Sequence, residues 1–483
     1  MKLKSHSSIL GMALTLLAAV SVFAFFELLF PYTLRHKEQT MFLLLNDTWI
    51  DLHYRDLGLQ KCIAVAGDWL MQLFYYPYIG ALIVSVVLTT IGIVLYHAAR
   101  RLHAPKWIAG LLSALAMAWE SCRICGEDYP LGSTLQLLLW TVALWSIARL
   151  LQSWRNTEAA PLTNKRMQIA ALIAVLLSSL TFSGFTLLPK AKWWSSPRHD
   201  IEKLYAIDSN AYYGDWQKVE ELSYPMLDYP IAQYYHNLAK AYQGRLADGL
   251  MNQTIRGTSR LFMPVDKDGN HVQFTAANEA WWAIGEMTTA EHATILGMIF
   301  SPRHTGSRNM RRLAQIAMRR GDKDGSMKYL RLLAQNPVHS SWAKKQMQKE
   351  LQEMTLPDTL SLSGEHSATL RNLLNHNPKN LIALDYLLCY DLLSHNLQGF
   401  TDDVMRYGCP KGHRLYEEAM LVVMQVNPDM REQLKPMVAE STYRDFVRFN
   451  QAFEQSKGNG KMMYSQFHNT YWYYLQFHDI SDI

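Results

Sequence analysis

The chain has 483 residues, enough for two or three domains, and a formal net charge of +5. Its basic residues are spread along the sequence and do not form the positive stripe that nucleic-acid binding requires. Five cysteines are too few to build a disulfide-stabilised fold. The hydrophobic content of 49% and the mean hydropathy of -0.10 average two unlike halves, an apolar amino-terminal part and a more polar remainder.

The amino-terminal part alternates apolar runs with short polar loops, a pattern that predicts about five transmembrane helices. The predicted spans cover residues 9–30, 76–96, 107–122, 131–151 and 167–189. The last run matches the ~20 apolar residues that a helix needs to cross a bilayer core. The first run could be a cleaved signal peptide, but it is longer than a typical signal core, which favours an uncleaved anchor. The third run is short for a span.

Positive charge predicts the orientation of these spans. The amino terminus and the loops that carry Arg100, Arg101 and Arg149 fall on one side of the membrane if there are five spans. Positively charged loops face the cytoplasm, so we expect the carboxy-terminal part to lie in the periplasm, beside the inner membrane. If the third run does not cross, the carboxy-terminal part lies in the cytoplasm.

Residues 190–483 show a helical pattern, with apolar residues three and four apart and regular turn residues. Gly-Asp pairs mark turns, and the Asn-Pro pairs that begin at Asn336, Asn377 and Asn427 mark the ends of helical hairpins. The pattern resembles tetratricopeptide (TPR) repeats, although its intervals are looser than the ~34-residue period of the ideal repeat. Stacked hairpins leave a concave surface that commonly binds a peptide or protein. A purely structural role is the alternative.

Cys122 and Cys125 form a C-x-x-C pair in the second predicted outer loop. Such a pair can be a redox dithiol or half of a metal site. The thioredoxin context of strand and helix is missing, and no second pair completes a zinc site. A local disulfide remains one interpretation, and two cysteines at a helix end are the other.

Four carboxylates of the predicted outer loops are candidate catalytic residues: Glu38, Asp47, Asp51 and Glu120. A carboxylate next to the membrane can act as a general base or a metal ligand, as in membrane enzymes that transfer sugars from lipid carriers. Solvated loop charges are the alternative, and five spans are few for such an enzyme. The sequence shows no phosphate-cradling loop, zinc motif or calcium loop, so we predict no cofactor and no metal.

The run of residues 72–83, QLFYYPYIGALI, resembles a signature of an uncharacterised family of Bacteroidota membrane proteins. The closing run of residues 469–474, NTYWYY, and the Asn-Pro pairs fit the same family. The resemblance implies amino-terminal spans in the inner membrane and a repeat-built helical tail. It implies no activity, and no site residue can be carried over from it.

The sequence therefore predicts an all-α integral membrane protein, with a transmembrane domain over residues 1–189 and a TPR-like domain over residues 190–483. The leading function is membrane-anchored binding or scaffolding, with the bilayer and a protein or peptide as partners. The alternative is a polytopic membrane enzyme that acts on lipid-linked glycan or lipid. The enzyme requires a polar cavity at the outer membrane face, lined by residues such as Glu38 or Asp51, whereas the scaffold requires a groove on the tail.

Overall fold

The computed structural model describes residues 2–155, 197–253, 257–263, 265, 271–349 and 365–478. Within these ranges the regular structure is helical and contains no strand, which confirms the all-α class. The chain forms two compact units, each assembled from separated stretches. Unit 1 comprises Met1–Tyr205, Ser301–Ala314 and Met327–Lys349, and unit 2 comprises Ala206–Phe300, Gln315–Ser326 and Glu350–Ile483. The predicted domain boundary at residue 189 lies outside the described residues.

Seven helices form the described amino-terminal part of unit 1. They are α1 (Lys2–Ala24, continued by a π-helical turn at Phe25–Leu29), α2 (Pro31–Gln39), α3 (Asp47–Tyr54), α4 (Lys61–Gln72), α5 (Ile79–Arg101), α6 (Lys106–Ile124) and α7 (Leu131–Arg155). Proline begins α2, where its missing N–H has no helical partner to lose. The side chain of Asn46 caps α3 by accepting a hydrogen bond from the Trp49 N–H at 2.8 Å.

Three helices of the described residues are long and apolar enough to cross a membrane, and they cover Gly11–Leu29, Ile79–Arg101 and Leu131–Leu150. They coincide with the first, second and fourth predicted spans. The third predicted span lies in α6, which is a helix of 19 residues but is not one of the three. Lys106, Glu120 and Arg123 lower the hydropathy of α6. The fifth predicted span, residues 167–189, lies outside the described residues.

Helices α4 and α7 touch through two glycines. A Cβ at Gly67 would overlap the backbone nitrogen of Gly132, and a Cβ at Gly132 would lie 3.1 Å from the Cα of Ala64. Backbone atoms of two helices cannot move aside as the tip of a side chain can, so only glycine allows this approach.

Gly67→Ala is expected to destabilise unit 1 by about 1–3 kcal/mol, the usual cost of overpacking. Gly110→Ala is the matched control, because a Cβ at Gly110 meets no atom within 4 Å and alanine favours a helix. Thermal unfolding of the two full-length variants in detergent measures the difference. Equal melting temperatures would show that α4 and α7 do not approach as described.

The rest of the described chain forms sixteen helices. They are α8 (His199–Tyr213), α9 (Trp216–Ser223), α10 (Pro230–Tyr242), α11 (His271–Ile284), α12 (Met287–Ile299), α13 (Ser307–Arg319), α14 (Lys323–Gln335), α15 (Ser340–Met347), α16 (His366–His376), α17 (Leu381–Leu393), α18 (Leu397–Tyr407), α19 (Arg414–Val426), α20 (Arg431–Leu434), α21 (Glu440–Gln455), α22 (Gly460–Phe467) and α23 (Tyr471–Phe477). A 3₁₀ turn at Leu246–Asn252 follows α10.

The turn residues that the sequence singles out lie between helices. Gly214 follows α8 with a φ of 79°, which favours glycine, and Asp215 caps α9 by accepting from the Lys218 N–H at 3.1 Å. The three Asn-Pro pairs directly follow the last residues of α14, α16 and α19. Helix ends are therefore where these residues predict them, while a regular TPR-like repeat stays a prediction.

Candidate functional site

The four predicted carboxylates lie in different surroundings within unit 1. Glu38 and Glu120 are buried, whereas Asp47 and Asp51 are exposed. Asp51 pairs with Lys61 at the surface. None of the four lines the polar cavity of this unit. They do not converge on one site.

Glu38 is the centre of a buried cluster at the end of α2. Its Oε1 accepts a hydrogen bond from Ser307 Oγ at 2.8 Å and lies 3.1 Å from His339 Nε2. The Nδ1 atom of His339 is buried with no hydrogen-bond partner, so the ring hydrogen belongs on Nε2, where the carboxylate accepts it. Both donors come from residues about 270 to 300 positions away in sequence.

The extended segment after Glu38 is held by the same distant stretches of unit 1. Thr305 Oγ1 accepts from the Phe42 N–H at 3.2 Å, the Ser307 N–H donates to the Met41 carbonyl at 3.1 Å, and Asn336 Nδ2 donates to the Leu43 carbonyl at 3.1 Å. These three backbone groups of the segment thus have protein partners in place of water. This arrangement gives Glu38 a structural role, the joining of three stretches of unit 1.

A cavity of about 60 Å³ lies near this cluster, and residues that the sequence analysis did not select line it. Asp68 of α4 is buried, and its Oδ2 accepts from the Tyr54 hydroxyl at 2.8 Å and from Arg303 Nε at 3.0 Å. Lys37 lines the same cavity, and its Nζ donates to the carbonyls of residues 126, 127 and 129. Burial lowers the pKa of Lys37 to about 8.

The size and bonding of this cavity limit its chemistry. At about 60 Å³ it is far smaller than the ~300–1,000 Å³ of a typical ligand pocket. All three hydrogens of the Lys37 ammonium are used by backbone carbonyls. A signal for Asp68 was present in the sequence, since it is the only acid in the apolar run of residues 62–71, and a carboxylate in such a run needs a partner.

Glu120 belongs to a second buried cluster, between α6 and the start of α7. It accepts hydrogen bonds from the Tyr129 hydroxyl, from Thr134 Oγ1 at 2.8 Å and from Arg123 Nη1 at 3.4 Å. The Arg123 guanidinium also lies over the Tyr129 ring, 4.7 Å from its centroid. These contacts give the two buried charges of α6, Glu120 and Arg123, partners within unit 1.

Cys122 and Cys125 are both free thiols in the structure, Cys122 in the last turn of α6 and Cys125 directly after it. Burial raises the pKa of Cys125 to about 12. A reactive cysteine needs a lowered pKa because the thiolate is the nucleophile, so Cys125 is poorly suited to redox chemistry. The disulfide stays a prediction.

Unit 2 contains an open groove of about 690 Å³. Helices α19 and α21, the turn at Leu246–Asn252 and residues 466–470 form its walls. Its lining residues are Ala247, Asp248, Gly249, Met251, Asn252, Arg414, Leu415, Glu418, Asp445, Arg448, Gln451, Ala452, Gln455, Gln466, Phe467, Asn469 and Thr470. The volume lies within the range of ligand-binding pockets.

The charged residues that line the groove have partners: Asp248 is bonded to His413 Nδ1 at 2.8 Å, and the others form ion pairs with one another. Arg414 bridges Glu418 and Asp445 at 2.7 and 3.1 Å, and Arg448 approaches the other oxygen of Asp445 at 3.3 Å. Glu418 is buried, which raises its pKa, and it also accepts the Tyr471 N–H at 2.6 Å. The carboxylates and guanidiniums that line the α19–α21 side are thus already paired, so the groove does not select a strongly charged ligand.

Five exposed carboxamide side chains line the same groove, and the structure shows no hydrogen bond from any of them to another described residue. They are Asn252, Gln451, Gln455, Gln466 and Asn469. Each carboxamide offers two donor hydrogens and one acceptor oxygen. The sequence analysis missed these residues, although Gln451 and Gln455 stand four apart on one face of α21.

The described residues thus form an all-helical protein. Three helices of unit 1 are long and apolar enough to cross a membrane, and unit 2 carries a polar groove. The chain belongs to a family of unknown function, DUF6057, whose sequence profile matches residues 5–162 and 155–478. This confirms the resemblance to an uncharacterised family, while the Bacteroidota source stays a prediction. Comparison with curated proteins gave no match, and comparison with solved structures gave none either.

Proposed function

We propose that this chain is a membrane-anchored binding protein that holds a polypeptide partner in the groove of unit 2. The observation that carries the proposal is the group of five exposed carboxamides in one groove of about 690 Å³. Unpaired donors and acceptors on a concave surface suit a polar partner. Anchoring raises the effective concentration of the groove for partners at the same membrane.

The anchor in this proposal has about five spans. Three are the apolar helices of unit 1, and the fourth is α6, whose Glu120 and Arg123 are buried against each other. A charge that is paired inside the protein does not face lipid, which reduces the cost of placing it at membrane depth. Residues 167–189 would supply the fifth span, since they are apolar over a sufficient length.

With five spans, the positive loops place the amino terminus in the cytoplasm and unit 2 in the periplasm, as a TPR-like domain next to the inner membrane. The reporter Ser441→Cys, on the exposed start of α21, tests this in a variant without native cysteines. A maleimide that cannot cross the inner membrane should label it in cells with a permeabilised outer membrane. Labelling only after the inner membrane is broken would place unit 2 in the cytoplasm.

Photo-crosslinking in membranes tests the binding function. A benzophenone amino acid at Gln455 of α21 or at Gln466 of α22, which both line the groove, should give a protease-sensitive adduct with a partner. Gln425 is the matched control, since it is an exposed glutamine of α19 outside the groove. The same adducts from all three positions, or no adduct from the groove positions, would contradict the proposal.

The second candidate function is a membrane enzyme that acts on lipid-linked glycan or lipid. The cavity lined by Lys37, Asp68 and Arg303 favours it, because it belongs to unit 1, which also contains the three apolar helices. The enzyme would need a larger opening, because about 60 Å³ holds only a few water molecules. Glutamine or asparagine at its carboxylates should then abolish the phenotype without loss of stability.

A further inference from the structure

We propose that the groove of unit 2 recognises an extended polypeptide segment through its backbone, with the carboxamides of Gln451 and Gln455 as the central contacts. This rests on the proposed binding function and goes further, because it specifies an unfolded segment as the ligand. A folded partner surface would present side chains to the groove.

The spacing of the two glutamines supports this choice. Residues four apart on a helix are about 6 Å apart along its axis. In an extended chain, the N–H and C=O of every second residue face the same edge, at intervals of about 6.6–6.8 Å. An extended segment that lies along α21 therefore brings the N–H and C=O groups of alternate residues to Gln451 and Gln455.

The chemistry of the carboxamide matches a peptide group. One carboxamide can accept from the N–H and donate to the C=O of the same residue, because these two groups face the same edge of an extended chain. Ala452 lines the groove beside Gln451, and its small side chain lets a backbone approach the helix. Gln466 and Asn469, which line the groove from outside α21, can bond to the second edge of the segment.

The charges of the groove argue against a ligand chosen for its charge. Asp445 forms ion pairs with both Arg414 and Arg448, and Glu418 forms an ion pair with Arg414. A charged ligand would have to displace these pairs, whereas neutral peptide groups need only replace the water on the free carboxamides. Recognition of this kind depends weakly on the side chains of the segment.

Fluorescence anisotropy with the full chain in detergent micelles tests the proposal. The probe is a 12-residue peptide of serine, threonine and asparagine with blocked termini and an uncharged fluorophore, and a scrambled version of the same composition is compared with it. Both should bind with the same Kd within about twofold. N-methylation of alternate residues on one edge should weaken binding about tenfold, since each methyl group removes one backbone donor, and methylation of the other edge should weaken it by a different factor.

The double variant Q451A/Q455A should weaken peptide binding about tenfold or more, because it removes the carboxamide partners of the backbone. Q425A is the matched control and should leave the Kd unchanged. All three glutamines are exposed, so the variants should keep the melting temperature of the parent chain, which is measured alongside.

Three results would overturn the proposal. The first is absence of peptide binding at millimolar concentration, and the second is equal binding by all N-methylated peptides. The third is failure of the peptide to bind while a neutral oligosaccharide such as chitohexaose binds in a way that depends on Gln451 and Gln455. If the peptides do not bind but the photo-crosslinker at Gln455 still captures a protein in membranes, the proposed binding function is supported and only recognition through the peptide backbone is rejected.

Discussion

Asp391 should give unit 2 a contribution to stability that is lost as the pH rises from about 4 to about 7, and Asp391→Asn should remove this contribution. Asp391 of α17 is fully buried, and Arg371 Nη2 lies 3.3 Å from its Oδ2. The same Arg371 contacts Asp403 at 3.0 Å. Burial and the neighbouring Asp403 carboxylate raise the pKa of Asp391 to about 7.

The sign follows from where the proton is bound. The folded chain keeps a proton on Asp391 up to about pH 7, whereas the unfolded chain releases it near the ordinary value of about 4. The folded state therefore binds more protons between these pH values, and its stability falls as the pH rises. The stability from this group is fully present below about pH 4 and is lost as the pH passes 7, a change on the order of a few kcal/mol.

Thermal unfolding of the full chain in detergent at pH 5 and pH 8 measures this effect. Asp391→Asn cannot ionise, so it should melt at a higher temperature than the parent chain at pH 8 and show a smaller difference between the two pH values. Asp402→Asn is the matched control, because Asp402 lies next to Asp403 on α18 but is exposed. An unchanged pH dependence in Asp391→Asn would contradict the prediction.

Glu38→Ala should lower the free energy of unfolding of unit 1 by about 1–3 kcal/mol, the cost of one orphaned buried donor. The variant leaves His339 Nε2 buried without its acceptor, whereas Ser307 Oγ keeps the backbone carbonyl of residue 38 as an acceptor at 3.2 Å. Glu38→Gln keeps an acceptor oxygen and should recover part of the loss. Asp51→Ala should change stability little, since Asp51 and its partner Lys61 form an exposed pair.

The same series separates the two candidate functions. If Glu38 is structural, the phenotype of each variant should follow its stability, as measured by unfolding in detergent. If the protein is an enzyme that uses Glu38, Glu38→Gln should abolish the phenotype while it melts close to the parent chain. A stability of Glu38→Ala equal to that of Asp51→Ala would contradict the buried cluster itself.

Local features of this protein were readable from the sequence because their causes are local. Apolar runs of sufficient length predicted three helices that the structure contains at the same places. The Asn-Pro pairs marked the ends of α14, α16 and α19, since proline disfavours a helical conformation in the residue before it. Gly214 and Asp215 marked a turn between helices, because glycine tolerates a positive φ and aspartate caps a helix.

Only the tertiary structure decided what the polar residues do. Glu38 and Asp47 look alike in sequence, yet one is buried against Ser307 and His339 and the other is exposed. Asp68 meets Arg303 across 235 positions, and the groove joins residues near 250 with residues near 450. Such contacts depend on which distant segments fold together, and the pattern of neighbouring residues carries no information about that. The sequence thus determined helices and turns, and the tertiary structure alone decided which charges are buried and which carboxamides face an open groove.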